Sequence, residues 1–136
     1  MNRRPHPAQD FVAEVVGMQL AKAELGRYGE ELAAAHLEAT GCQILARNWR
    51  CRLGEIDLVA LDRQCLVVCE VKTRQSLTAG DPLEAVTAVK GVRLRRLAGA
   101  WLSTQQRFYQ DVRIDVVGIV RPLSGPARMV HLKGVL

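Results

Sequence analysis

Residues 54–74 read GEIDLVALDRQCLVVCEVKTR, and this stretch decides the class of fold. Apolar and polar residues alternate along residues 54–61 and again along residues 65–73, a pattern that is typical of β-strands. The polar segment Asp62-Arg63-Gln64 separates the two runs and predicts a turn. Because this connection is short, the two strands are expected to form an antiparallel hairpin.

Further elements are predicted on both sides of this hairpin. Apolar residues recur at three- and four-residue steps over residues 21–40, which indicates a helix that ends at Gly41. Asp81 followed by Pro82 marks the start of a second helix, which runs to about residue 103. Period-two patterns predict further strands over residues 42–49, 112–120 and 129–132. The order is therefore helix, three strands, helix and two strands, which is an α/β fold class.

The chain has the length of one domain, at 136 residues, and 49% of them are hydrophobic, so a core can form without disulfides or metal. Residues 1–20 contain two prolines and predict an N-terminal arm with one short helical piece and a disordered end. Residues 21–136 are predicted to form the domain itself.

The charge balance favours a polyanionic partner. Basic residues exceed acidic residues to give a net charge of +5, which points to nucleic acid first, although a merely soluble basic protein fits nearly as well. No apolar run approaches the roughly 20 residues that span a bilayer, and no signal peptide is recognisable. We therefore expect a cytoplasmic protein without a membrane segment.

The four cysteines of the chain lack disulfide or zinc spacing and are expected to be reduced thiols.

Two acids and one lysine are brought together by the predicted hairpin. Glu70 and Lys72 alternate within one strand, so their side chains share a face. With a two-residue loop, Leu61 pairs with Leu66 and Asp57 lies opposite Glu70, with Cβ atoms about 5 Å apart. Two carboxylates this close repel each other unless a divalent cation such as magnesium lies between them. A three-residue loop would place them on opposite faces, and an ordinary cross-strand salt bridge is the alternative interpretation.

These residues belong to a longer ordered set of motifs. The set comprises Gly26-Arg27-x-Gly29-Glu30, Arg47-Asn48-x-Arg50, Gly54-Glu55-Ile56-Asp57-Leu58, Cys69-Glu70-Val71-Lys72-Thr73-Arg74, Pro82-x-Glu84-Ala85-Val86, Lys90 and Ile114-Asp115-Val116-Val117. It resembles the PD-(D/E)xK restriction-endonuclease-like superfamily and, within it, the bacterial YraN-like family, which is related to Holliday-junction resolvases. The resemblance implies a restriction-endonuclease-like core, in which helices flank a mixed central sheet of about five strands.

The resemblance also implies a metal-dependent nuclease that acts on DNA, more than on RNA, with branched structures as substrates. Asp57, Glu70 and the Val71 carbonyl would hold Mg²⁺ or Mn²⁺ as cofactor. Lys72 would orient or deprotonate the attacking water, and Glu30 would complete the site. Cutting both strands would require a homodimer or two successive events. A non-catalytic nucleic-acid-binding protein and a small adaptor that retains the fold are the alternatives.

Several basic residues are candidates for phosphate contact, with a solvated surface as the alternative interpretation. Only 4% of residues are aromatic, which favours recognition of the nucleic-acid backbone over stacking on single-stranded bases. His36 and His131 lack metal-ligand spacing and are assigned no chemistry, and Asp115 is expected to pair with a neighbouring base. The candidates for phosphate contact are Arg47, Arg50, Arg52, Arg74, Lys90 and Arg93.

Overall fold

A mixed five-stranded sheet lies at the centre of the protein. The computed structural model describes the backbone of residues 7–76 and 88–135, and side chains within residues 21–76 and 90–135. The elements are α1 (Pro7–Ala39), β1 (Gln43–Cys51), β2 (Gly54–Asp62), β3 (Cys65–Arg74), α2 (Ala88–Ser103), β4 (Asp111–Val120) and β5 (Arg128–Leu132). This α/β architecture and the predicted order of elements are confirmed.

The strands are arranged in the order β1-β2-β3-β4-β5, which is their order in the chain. Neighbouring strands are antiparallel except for β3 and β4, which are parallel. A parallel pair requires a long crossover, and α2 lies in this connection. The predicted helix start at Asp81 and Pro82 falls in residues 77–87, outside the described residues.

The register of the β2–β3 hairpin satisfies the condition on which the predicted site depends. Asp62 pairs with Cys65, and Leu61 pairs with Leu66, so the loop has two residues. Arg63, the first loop residue, adopts a left-handed φ of 57°, which allows the chain to reverse within this short loop. This is the register that the prediction required, and regular pairing runs as far as Leu58 with Cys69, one residue short of Asp57 and Glu70.

The two faces of the sheet are covered by different helices. On one face, Ala33, Ala34 and Leu37 of α1 pack against buried residues of β2, β3 and β4. On the other face, α2 contributes Leu94, Leu97 and Trp101. Glu70 and Lys72 belong to the same face of β3 as Leu66 and Val68, which are buried beneath α2.

Strand β2 changes face at Asp57. The sequence predicted that Ile56, Leu58 and Ala60 share one face, and this is wrong for Ile56. Ile56 packs in the α2 layer, whereas Leu58 and Ala60 pack in the α1 layer. Asn48 of β1 lies opposite Asp57 and has a positive φ of 50°, so the regular alternation of the strand is interrupted at this point.

Helix α1 begins earlier than the sequence predicted. It starts at Pro7 instead of residue 21, so the predicted N-terminal arm is helical from that residue. Proline suits the first helical position, where its missing N–H costs no hydrogen bond. The helix ends as predicted at Gly41, which has a φ of 99°, and the Cys42 N–H donates to the Leu37 carbonyl over 2.9 Å.

All four cysteines are free thiols, as predicted, and Cys42 and Cys69 are buried. Among the described residues, no helix combines the length and the apolar character needed to cross a membrane.

Gly29 of α1 lies against Thr73 of β3, and this contact yields a first prediction. A Cβ at Gly29 would lie 1.8 Å from Thr73 Oγ1 and 3.0 Å from Thr73 Cβ. We expect Gly29→Ala to lower the free energy of unfolding by about 1–3 kcal/mol, because the helix must move away from β3. Urea unfolding monitored by circular dichroism measures this change.

The matched control is Gly26→Ala, one turn earlier in the same helix. A Cβ there meets nothing within 4 Å, so this substitution should leave stability unchanged or raise it by about 0.5–1 kcal/mol. Adding Thr73→Ala to Gly29→Ala should recover part of the loss. Equal effects of the two glycine substitutions would contradict the close contact.

Candidate functional site

The candidate site lies where β2 and β3 stop pairing. The last pair in the register is Leu58 with Cys69. Two residues further along β3, the Val71 N–H donates a hydrogen bond of 2.8 Å to Asp57 Oδ2 instead of to a β2 carbonyl. The Asp57 side chain thus replaces the next step of the ladder, and the two strands separate around it.

Glu70 is buried on β3 beside this divergence and is held by two lysines. Lys90 Nζ of α2 lies 2.8 Å from Glu70 Oε1, and Lys72 Nζ lies 3.5 Å from the same oxygen. Glu70 Oε2 is also buried, and among the described residues no group donates a hydrogen bond to it. A buried carboxylate oxygen without a partner is destabilising, so this atom is available to a ligand.

The site concentrates negative charge around Asp57. Burial raises the pKa of Asp57 to about 6, and the carboxylates of Glu30, Glu70 and Glu55 add to the rise, although the Val71 hydrogen bond opposes it. Glu30 comes from α1 and reaches Asn48 through a side-chain hydrogen bond, while partial burial raises its pKa. The structure therefore places Glu30, the glutamate of the motif in α1, near Asp57.

Lys72 has the properties of a lysine that can exchange a proton. Burial and a hydrogen bond with Lys90 lower the pKa of Lys72, and the attraction of Glu70 opposes this effect. A lowered pKa increases the neutral fraction of the amine at physiological pH. Lys72 also lines a groove with Glu30 and Arg74, and the volume of the groove is about 620 Å³.

The basic residues predicted to contact phosphate occupy different surroundings. Lys90 lies within the carboxylate cluster against Glu70, whereas Arg93, one turn later in α2, is exposed. Arg47 pairs with Glu38 at 3.6 Å, and Arg50 pairs with Glu55 at 3.6 Å. Arg52 is exposed in the turn between β1 and β2, and Arg74 lines the groove beside Lys72.

The residues present fit a divalent cation through oxygen ligands. Within residues 7–76 and 88–135, no three His, Cys, Asp or Glu side chains are placed to hold a metal together. The candidate ligands are instead two side chains, Asp57 and Glu70, together with the main-chain carbonyl of Val71. Glu70 Oε2, which has no partner among the described residues, and Asp57, whose pKa is raised, would both be stabilised by a cation.

A second buried polar network, which the sequence did not reveal, joins α1 to β4 and β5. Asp115 is fully buried and accepts from Arg113 Nε at 3.0 Å and from the Gly134 N–H at 3.0 Å. His131 Nε2 lies 2.7 Å from Asp115 Oδ2, and His131 Nδ1 lies 3.1 Å from His36 Nε2. The prediction that Asp115 pairs with a base is confirmed. The histidine pair is separated by 95 residues, so no local spacing could have indicated it.

These observations define a small α/β protein with a carboxylate–lysine cluster where two strands of a mixed sheet diverge. The model of the uncharacterised protein family UPF0102 matches residues 29–119, and the chain belongs to this family. A UPF0102 protein of Nocardioides sp. is 55% identical over 114 residues, which cover 84% of this chain and 92% of that protein. A relative from Beutenbergia cavernae is 53% identical over 85% of this chain and 98% of its own length. The family part of the sequence resemblance is confirmed.

The unfavourable position of Asp57 generates a second prediction. A carboxyl group with a raised pKa in the folded protein destabilises the fold progressively as the pH rises from about 4 through 6. We expect Asp57→Asn to raise the free energy of unfolding by about 1–2 kcal/mol at pH 8, because the amide oxygen still accepts from Val71 without a charge. Thermal unfolding should show the gain shrinking towards zero at pH 4.

Asp115→Asn is the control, since Asp115 is fully buried, unlike the half-buried Asp57, and is paired with Arg113 and His131. Its replacement removes the buried charge that pairs with the half-buried Arg113 and should lower stability by about 3–5 kcal/mol. A loss of stability in Asp57→Asn similar to that in Asp115→Asn would assign Asp57 a purely structural role.

Proposed function

We propose that this protein is a metal-dependent nuclease that hydrolyses phosphodiester bonds in DNA. The observation that carries the proposal is the convergence of Asp57, Glu70 and Lys72 at the divergence of β2 and β3. Glu70 is buried, Asp57 beside it is half-buried with a raised pKa, and the pKa of the neighbouring Lys72 is lowered. Neighbouring titratable groups with shifted pKa values are a recurring feature of catalytic sites.

Asp57, Glu70 and the Val71 carbonyl would hold Mg²⁺ or Mn²⁺. When bound, the cation would lower the pKa of a coordinated water and offset charge that develops on the phosphate. The protein contributes a preformed cradle, because Asp57 is fixed by the Val71 N–H and Glu70 by Lys90.

Lys72 and Glu30 would act on the water and the phosphate. With its lowered pKa, Lys72 can accept a proton from the attacking water or, when charged, stabilise the phosphate oxygens. Glu30 lines the same groove as Lys72, and there it would orient the water. In this proposal the groove receives a strand of nucleic acid.

DNA is the favoured substrate, and branched DNA follows from the sequence resemblance. The net charge of +5 favours association with a polyanion. Exposed arginines of the β1–β2 turn and of α2, including Arg52 and Arg93, would contact phosphates on either side of the site. One chain carries one site, so cleavage of both strands would require a homodimer or two events.

A non-catalytic DNA-binding function is the second candidate, and the Lys90–Glu70 contact favours it. At 2.8 Å, this ion pair already neutralises one carboxylate of the cluster. A protein that used the cluster only for structure would keep this pair and would bind nucleic acid without cleaving it. Metal dependence of cleavage distinguishes the two candidates.

The third prediction concerns cleavage. Purified protein with Mg²⁺ or Mn²⁺ should cut labelled DNA among single-stranded, duplex, flapped and four-way-junction substrates, with RNA as a control. Asp57→Asn, Glu70→Gln and Lys72→Met should each reduce the rate by at least about 100-fold, because each removes a cation ligand or the proton-transfer group. EDTA should stop the reaction.

Glu30→Gln and Glu31→Gln form a matched pair on α1. Glu30 faces the site and Glu31 is exposed, so only the first substitution should slow cleavage. Cleavage that survives in Asp57→Asn or Glu70→Gln would come from a contaminant and would refute the proposal. Salt-sensitive binding without cleavage in any metal would support the second candidate.

A further inference from the structure

An exposed apolar cleft lies between the β1–β2 turn and α2. Its lining among the described residues is Leu53, Val92, Arg93 and Arg96, and its volume is about 370 Å³. We call it the hairpin–helix cleft. Leu53 is 48% exposed and Val92 is 53% exposed, although both are large aliphatic residues. Single exposed aliphatic residues are common, but two that lie together in one cleft form a small apolar patch that a partner can cover.

The charges around the hairpin–helix cleft are all of one sign. Arg93 and Arg96 form its rim, and no carboxylate is among its described lining residues. Arg52, which precedes Leu53 in the turn, is also exposed. An apolar floor between guanidinium groups is complementary to a nucleotide, which presents a flat apolar base between negative phosphates.

The cleft is connected to the candidate site through both of its walls. Leu53 lies in the turn four residues before Asp57, so the two positions are at most about 13 Å apart. Lys90, which contacts Glu70, lies one helical turn before Arg93. A separation of about 13 Å corresponds to about four base steps along one strand.

We propose that the hairpin–helix cleft receives the exposed face of an unstacked base, with Leu53 against the base and Arg93 and Arg96 on the neighbouring phosphates. This inference rests on the proposed nucleic-acid function and names the substrate class. The preferred DNA has an interrupted base stack about four nucleotides from the phosphate at Asp57 and Glu70.

The preference for interrupted DNA over continuous duplex arises from the free energy of unstacking two neighbouring bases. An aliphatic side chain can cover a base face only after the neighbouring base has moved away, and in an intact duplex this separation is unfavourable. At a gap or a strand end the face is already open. Leu53 therefore adds binding energy on interrupted DNA and adds little on continuous duplex.

The experiment compares equilibrium binding by fluorescence anisotropy in EDTA, so that no cleavage occurs. The probes are a continuous 30-base-pair duplex and the same duplex with a one-nucleotide gap, with 2-aminopurine beside the gap. Wild type should bind the gapped duplex at least 5-fold more tightly and increase the 2-aminopurine fluorescence. Leu53→Ser should reduce this preference below 2-fold while its affinity for continuous duplex changes by less than 2-fold.

Leu123→Ser is the matched control, because Leu123 is 97% exposed in the connection between β4 and β5. It should retain the full preference for the gapped duplex. Arg93→Ala should weaken binding to both probes and reduce the slope of log affinity against log salt by about one.

Three outcomes would overturn the inference: no preference for the gap in wild type, an undiminished preference in Leu53→Ser, or an equal effect of Leu53→Ser and Leu123→Ser. If Leu53→Ser changed binding only to an acidic peptide probe and not to either DNA, the cleft would be assigned to a protein partner. Because the binding assay needs no metal, failure of cleavage leaves its result intact. Failure of the gap preference likewise leaves the cleavage test intact.

Discussion

The hydrogen bond from the Val71 N–H to the Asp57 carboxylate is the interaction on which the site depends. It takes the place of a main-chain bond at the point where β2 changes face, so the sheet loses regularity without leaving that amide unsatisfied. The same bond fixes a carboxylate beside Glu70 and orients the backbone of the residue between Glu70 and Lys72. A local irregularity of the sheet and a chemically reactive cluster therefore have one cause.

Two aspartates of this protein lie in opposite electrostatic surroundings. The buried Asp115 is surrounded by Arg113, His131 and the Gly134 amide, so its charge is compensated in place. The half-buried Asp57 accepts from one amide and faces other carboxylates. Stability alone would favour the first arrangement. Because departures from the most stable arrangement are expected at functional sites, this contrast supports the proposal that places function at the cluster around Asp57.

The sequence was informative where short-range patterns determine structure. Alternation over residues 54–74 and the two-residue loop were sufficient to predict the hairpin and its register from Leu58 with Cys69 to Asp62 with Cys65. The change of face at Ile56 was not predictable, because it depends on Asn48 in the neighbouring strand. Lys90 could have been placed by its spacing of four and seven residues from Leu94 and Leu97, which are buried. The His36–His131 contact, by contrast, arises only from tertiary folding.

The contact between Gly29 and Thr73 has a consequence for the entropy of ligand binding. Glu30 directly follows Gly29, so this tight contact between helix and sheet lies next to one of the acidic side chains of the candidate site. The backbone positions of Glu30, Asp57 and Glu70 are thus set by steric exclusion and strand pairing, and none of them lies on a loop. Binding of a ligand at this site would therefore require little ordering of the backbone. The remaining entropic cost would come from side chains, at about 0.5–1.5 kcal/mol for each one that is immobilised. The tight contact at Gly29 would in this way strengthen ligand binding without touching the ligand.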